Sequence, residues 1–416
     1  MTEDRRVLRE IAWPEVFPSV LLLSVWKLAI NLRALLLAAV GLLATMAAWW
    51  AFTQIFGAAL DQSSESSQIV SAATSFQAPR DALLPAPDLL GINRISPRAI
   101  AETTPIVTAW DFFTRPLRYV FSTRLSFGQA LYLLAAGMIL LAVWAFIGGA
   151  ISRLAVVELA RGEKLSWGQT LSHARDKWAS YFAAPLFPLF GVALAAIPLA
   201  IVGLLMKAGS VGVVIGGLLW PLVLLVGLVM AILLVGLLLN WPLMWATISA
   251  EGTDSFDALS RSYAYSFQRP LLYFGYLLMA AIVGALLMIL VNLFALSVLQ
   301  LSYWAVSLGS GNATLRTVLG ADADPVSPTG LGLMNFWNNG VTLLAGAFVV
   351  SYFFSAMSAI YLLLRFHIDA TETDEVYLPD DADAYGLPPL KVDSSGVVQV
   401  ADAPSSMPAD NVSPEG

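Results

Sequence analysis

The chain has no cysteine, so disulfides, thiolate metal ligands and cysteine nucleophiles form no part of its chemistry. Charge is scarce too: 12% of the 416 residues are Asp, Glu, Lys or Arg, against about a quarter in a soluble domain. Only two histidines occur. No HExxH zinc helix, Gly-rich phosphate loop or GxSxG elbow is present, so the familiar hydrolase and nucleotide-binding signatures are excluded. Apolar residues make up 58% of the sequence. That balance predicts an all-α integral membrane protein.

Six apolar runs are long enough to cross a bilayer, at 34–56, 129–151, 183–206, 211–247, 271–299 and 339–364. Within these limits they contain no Asp, Glu, Lys, Arg or His. Ionisable groups inside a membrane mark proton relays and ion paths, so their absence argues against a proton-coupled transporter and an intramembrane protease. Asn240, Asn292, Thr342, Ser351 and Ser355 are the uncharged polar candidates for a path. Such residues more often hydrogen-bond between helices, and packing is the expected role. The fourth run is long enough to tilt, or to bend near Pro221 or Pro242.

Lys and Arg in the short flanks set the orientation. Arg5, Arg6, Arg9, Lys27 and Arg33 precede the first run, and Arg153, Arg161, Lys164, Arg175 and Lys177 lie between the second and third. Arg261 and Arg269 separate the fourth from the fifth, whereas the opposite side has Lys207 and Arg316. Both termini are therefore expected in the cytoplasm. The N-terminus lacks a short apolar core with a cleavage site and reads as a retained end.

The charged connector "ARGEKLSWGQTLSHARDKW" (160–178) has a counterpart in "AEGTDSFDALSRSYAYSF" (250–267). Both leave an apolar run through Ala-x-Gly, reach Ser plus an aromatic, continue to Leu-Ser and return to the membrane. Each reads as an amphipathic helix. Trp167, Leu171, Ala174, Trp178 and Tyr181 form the apolar face of the first, with His173, Arg175, Asp176 and Lys177 off it. The second stripe is Phe256, Leu259, Tyr263 and Phe267. Ser166 with Gln169 predicts a capping box, and Asp254 or Ser255 a cap for the second helix. A third echo pairs "ISAEGTD" (248–254) with "IDATETD" (368–374) at four of seven positions. The chain then divides into three parallel helical-hairpin units, near 11–160, 166–250 and 255–370. Trp167, Trp178, Arg175, Lys177, Phe256 and Arg261 are the expected membrane-interface anchors. His173 and His367 have no evident ligand set, and neither a cofactor nor a metal site is expected.

Two outer loops are longer. In 57–128, six Arg balance six acidic residues, and its end, "WDFFTRPLRYVF", places Trp110, Arg115 and Arg118 where an interfacial segment on the outer leaflet would hold them. The loop 302–338 contains "GADADPVSPTGLG"; Asp322 and Asp324 could begin a calcium loop, but the remaining ligand positions are missing and a turn is expected. Residues 365–416 carry 11 acidic side chains against Arg365 and Lys391, near −9 of the chain's net −7. This tail should be disordered, repel nucleic acid and anionic lipid, and favour a basic protein partner. The expected division is a cytoplasmic N-terminus with interfacial helix over 1–33, a membrane domain over 34–364 and the tail over 365–416.

The stretches "SAIYLLLRFHIDATETDEVYL" (358–378) and "IAWPEVFPSVLLLSVWKLAINLR" (11–33) resemble an uncharacterised group of polytopic membrane proteins found in planctomycete-type bacteria. The paired connectors resemble the membrane domain attached to some bacterial glycerophosphodiester phosphodiesterases. Neither likeness supplies catalytic residues. Together they imply a bacterial cytoplasmic membrane. A non-enzymatic scaffold or subunit of a cell-envelope assembly is the expected function. The alternative is a transport or lipid-handling protein with an uncharged polar path at the unit interface.

Overall fold

The second long helix begins where Ser126 accepts from the Gln129 backbone and the Gln129 side chain returns to the Ser126 backbone, and it stops at Gly162 in the left-handed region (φ 70°). The helix that begins after Ser166 starts with the same capping box. A computed structural model describes residues 18–56, 104–121, 125–311 and 327–378, and the backbones of 390–392 and 398–400. Its helices are α1 (Val20–Ala29), α2 (Leu32–Phe56), α3 (Pro105–Val120), α4 (Phe127–Arg161), α5 (Trp167–Asp176), α6 (Trp178–Ala183), α7 (Leu186–Met206), α8 (Ser210–Glu251), α9 (Ser255–Gln268), α10 (Pro270–Ser310) and α11 (Pro328–Asp369). Six segments are long and apolar enough to span a membrane: α2, α4, Trp178–Met206, α8, α10 and α11.

Apart from α3, the order is short helix, long helix, long helix, three times over: α1-α2-α4, then α5 and α6 with α7-α8, then α9-α10-α11. The last helix of each group ends on a left-handed residue, at Gly162, Gly252 and Ala370. Ala370 is the sole non-glycine at positive φ among the described residues. The third cap therefore falls two residues before the position that the "IDATETD" echo aligns with Gly252.

These ends correct the sequence limits of the spans. The helices run on through Arg153, Glu158 and Arg161, through Glu251, and through Arg365, His367 and Asp369, so continuous helix carries ionisable groups that the apolar runs omit. An apolar run ends where charge begins, but a helix ends where its carbonyls are capped.

The α11 helix is the hub. It packs against α1, α2, α3, α4, α8, α9 and α10, and its most apolar window is wholly buried. Small residues admit the neighbours, as expected where helices approach closely in lipid. A Cβ on Gly148 would lie 2.6 Å from Cζ3 of Trp245 and 2.7 Å from Cζ of Phe354; one on Gly149 would lie 2.7 Å from the Tyr181 ring. Gly148→Leu is therefore expected to lower stability by about 3 kcal/mol through overpacking of fixed rings. Thermal unfolding in detergent checks this, and a change within about 0.5 kcal/mol would contradict it, since that is the range of bland surface substitutions.

By contrast, α7 and the outer half of α8 pack chiefly on each other, while the inner half of α8 is buried against α4, α9 and α11. The most apolar windows of Trp178–Met206 and of α8 are only 6% and 11% buried. These stretches carry exposed Leu, Val and Ile all around, including Val214, Leu218 and Leu224. The α8 and α11 helices have 42 residues each, about 60 Å at the helical rise and roughly twice the hydrocarbon thickness.

Residues Val376–Gly416 form a separate unit. Within it, Leu390–Val392 and Val398–Val400 pair antiparallel with Leu390 opposite Val400. Leu-Lys-Val and Val-Gln-Val both alternate apolar and polar residues, the period of a strand. The predictions for 1–17, most of the 57–128 loop, Asp322, Asp324 and the rest of the tail lie outside the described residues.

Candidate functional site

Two features stand out: a buried polar layer where the connectors meet the bundle, and an apolar cleft beside it. The connectors form the helices that the sequence predicts. Ser166 and Gln169 make the capping box of α5, and the Asp254 carboxylate accepts from the backbone N–H of Phe256 and Asp257 to start α9. Trp167, Trp178 and Phe256 of the predicted stripes point away from the protein, whereas Ala174 and Tyr181 of the first stripe are buried. Trp167 and Trp178 are 41% and 38% exposed, and Phe256 is 66% exposed. The sides turned inward are small or polar: Thr170, His173 and Ala174 on α5, and Ala258, Ser262, Tyr265 and Ser266 on α9. A helix facing water presents the opposite pattern, so lipid is the solvent this arrangement suits.

His173 lies off the aromatic stripe, as the sequence places it, but on the buried side. The chain turns at Lys177, between α5 and α6, and sets Tyr181 beneath His173 with 3.3 Å between Oη and Nε2. The Tyr181 hydroxyl also meets Ser249 Oγ at 2.8 Å, and Arg153, almost fully buried, donates to the Ser249 carbonyl at 2.5 Å. Burial, helped by the charges of Arg153 and Lys177, pushes the His173 pKa down to about 3. The ring is therefore neutral at ordinary pH. Lys177 donates to the Gly252 carbonyl.

A second group surrounds Glu251. Its carboxylate accepts from Tyr361 Oη at 2.5 Å and pairs with Arg261 at 2.7 Å and the buried Arg365 at 4.0 Å. Arg365 in turn donates to the Glu372 and Glu375 carbonyls at 3.1 and 2.5 Å, and Tyr265 donates to Asp369. Arg33 reaches the Leu165 carbonyl, and Asn31 reaches Glu158 at 3.3 Å. One polar layer thus ties together the ends of α2, α4, α8 and α11 and both connectors. Sequence reasoning missed Arg153, Tyr181, Ser249, Glu251, Tyr361 and Arg365. The available signal was the ionisable residue at or near the end of each exit helix: Arg153, Glu251 and Arg365. Among the described residues no three His, Asp or Glu side chains converge as a metal site.

Of the other predicted anchors, Arg175 is exposed and Arg261 is committed to Glu251 and Asp257. Trp110, Arg115 and Arg118 belong to α3. The α3 helix packs among α4, α8, α10 and α11. Phe113 lies 5.1 Å from the Trp144 and Trp241 rings and 5.9 Å from that of Phe353. Asp111 sits with Arg115 and Arg118; burial opposes its ionisation, but the hydrogen bonds and charges of the two arginines hold its pKa below the ordinary value. That pairing leaves the opposite, aromatic side of α3 free to enter the bundle.

Backbone chemistry fixes where it enters. Pro242 has no N–H to give the Leu238 carbonyl one turn earlier, and Trp110 Nε1 supplies the missing donor at 2.8 Å. Pro185 leaves the Tyr181 carbonyl in the same state, and Trp245 Nε1 fills that vacancy at 2.9 Å. Two proline breaks are each repaired by an indole from another helix.

The four residues proposed for a polar path or for packing, Asn240, Asn292, Ser351 and Ser355, are all buried. The Asn240 amide, Asn292 Oδ1 and both hydroxyls have no hydrogen-bond partner from the protein. None of them lines the cleft. That space lies between α3, α4, the start of α7 and the inner half of α8, encloses about 760 Å³ including its open side, and is walled almost entirely by apolar groups such as Phe113, Met138 and Leu189. Comparison with family models, curated proteins and solved structures finds no match for this chain.

Proposed function

We propose that the chain is a non-enzymatic, multi-pass scaffold or subunit of a cell-envelope assembly in the cytoplasmic membrane of a bacterium, with both termini cytoplasmic. The observation that carries this reading is the length of apolar surface that the protein itself leaves uncovered. No ionisable residue lies between Lys207 and Glu251, or between Arg269 and Arg316. At the helical rise the 42 residues of α8 extend about 60 Å, and a tilt of about 40° still leaves about 45 Å to cover against a core of about 30 Å. Lipid chains do not cover that excess, so the exposed outer halves of α8 and α10 suit contact with other protein subunits. Polar groups that could do chemistry are engaged in holding helix ends together, which supports a structural role. The Lys and Arg of the connectors favour the cytoplasmic side for their face, and the acidic tail would offer a surface for a basic partner there.

The test places a photo-crosslinking amino acid in membranes of the native host at Leu218 (80% exposed) or Leu308 (70% exposed). Discrete protein adducts from both sites are expected; lipid adducts alone would end the scaffold reading. A parallel nanodisc pull-down compares the full chain with one ending at Thr371, and loss of a stoichiometric partner on truncation would assign that contact to the tail. A lipid-handling role is the second reading, and the apolar cleft is the observation that favours it.

A further inference from the structure

We infer that the cleft between α3, α4, α7 and α8 holds one acyl chain of a membrane phospholipid. The inference does not depend on the scaffold reading, since a bound lipid is compatible with either role. Three of the four walls belong to membrane-spanning segments, so the fluid outside the opening is hydrocarbon. Along α4 the lining runs from Leu133 to Trp144, about 17 Å at the helical rise and close to half the hydrocarbon thickness, the depth of one leaflet. Close to the lining residues Leu141 and Trp144, the Trp178 indole donates to the Ala142 carbonyl at 3.1 Å, beside Lys177 at the connector face. Indoles favour the headgroup level, so a chain entering there would run inward from the phosphates.

Polarity selects the same occupant. The Thr114 hydroxyl is spent on the Trp110 carbonyl at 2.7 Å. Trp144 Nε1 donates to Thr45 at 3.0 Å, and Trp245 Nε1 to the Tyr181 carbonyl. Trp241 Nε1 is unpaired but enclosed by protein. No lining side chain therefore presents a free polar group to a ligand. Gly137 keeps one wall open: a Cβ there would meet only Pro116 Cβ, at 3.6 Å.

The experiment uses the full chain in nanodiscs of phosphatidylcholine doped with the same lipid carrying a diazirine in one acyl chain, and adducts are mapped by mass spectrometry. Adducts should concentrate on Leu117, Met138 and Leu189 relative to the exposed face around Leu218 of α8. Gly137→Phe should suppress the cleft adducts severalfold while leaving those near Leu218 unchanged. Leu134→Trp, at the exposed rim, should do the same and serves if the first variant fails to fold. Equal labelling of cleft and outer face, or cleft labelling that survives both variants, would each overturn the inference.

Discussion

Glu251→Ala is expected to lower the stability of the detergent-solubilised protein by about 3 kcal/mol, the scale of breaking a buried ion pair. The carboxylate is 12% exposed and serves three partners at once. Tyr361, wholly buried, loses the acceptor of its 2.5 Å hydrogen bond, and a buried hydroxyl left unpaired costs about 1–3 kcal/mol. Arg365, 4% exposed, loses its nearby carboxylate and keeps only the two backbone carbonyls. Arg261 contributes least, because at 42% exposure its pair is largely screened by solvent. Arg261→Ala should therefore cost no more than about 1 kcal/mol, and Glu251→Gln, which keeps an acceptor for Tyr361, should fall between the two. Equilibrium unfolding followed by tryptophan fluorescence reads all three. Equal effects of Glu251→Ala and Arg261→Ala would show that the buried partners do not matter.

His173 should give the protein an acid limb of stability that a neutral substitute removes. Burial first, and then Arg153 and Lys177, hold its pKa near 3 against 6.5 for the free ring. Between those values the unfolded chain binds a proton that the folded chain refuses. The stability associated with the neutral ring is thus fully present above pH 6.5 and declines as pH falls toward 3. The slope is about 1.4 kcal/mol per pH unit, or about 2 kcal/mol between pH 6.5 and pH 5. His173→Asn should flatten this part of the profile by close to one proton while leaving the Tyr181–Ser249 bond in place. Other groups titrate over the same range, so the difference between wild type and variant is the quantity to compare. Parallel profiles would mean that the folded ring accepts a proton freely, and that it is not enclosed as the structure has it.

Much of this architecture is legible in the sequence because it depends on chemistry within a few residues. The six spans follow from uninterrupted apolar runs. The starts of α5 and α9 follow from Ser166 with Gln169 and from Asp254, since a cap is a contact of two or three residues' reach. The stripes of Trp167 and Phe256 follow from helical periodicity. What periodicity leaves undetermined is direction. An aromatic stripe and a hydroxyl stripe on one helix are each able to face the bundle, and only the neighbours decide.

The same reason explains what was missed. Arg153, Glu251 and Arg365 read as flanks because they follow apolar runs, yet the helices carry them into a shared polar layer that pairs residues as distant as Glu251 and Arg365, 114 positions apart. The end of the 57–128 loop suits a leaflet surface and a helix bundle equally by composition. Its place was settled by the Leu238 carbonyl that Pro242 leaves free, which a tryptophan 128 positions away satisfies. By itself, then, the sequence determined the solvent, the helices and their caps, all of which are local or compositional properties. Only the tertiary structure decided which faces are buried, which charges meet and where the cleft opens. Those outcomes depend on partners distant in the chain, and a hydrogen-bond donor or a space between helices becomes specific only when both sides are in place.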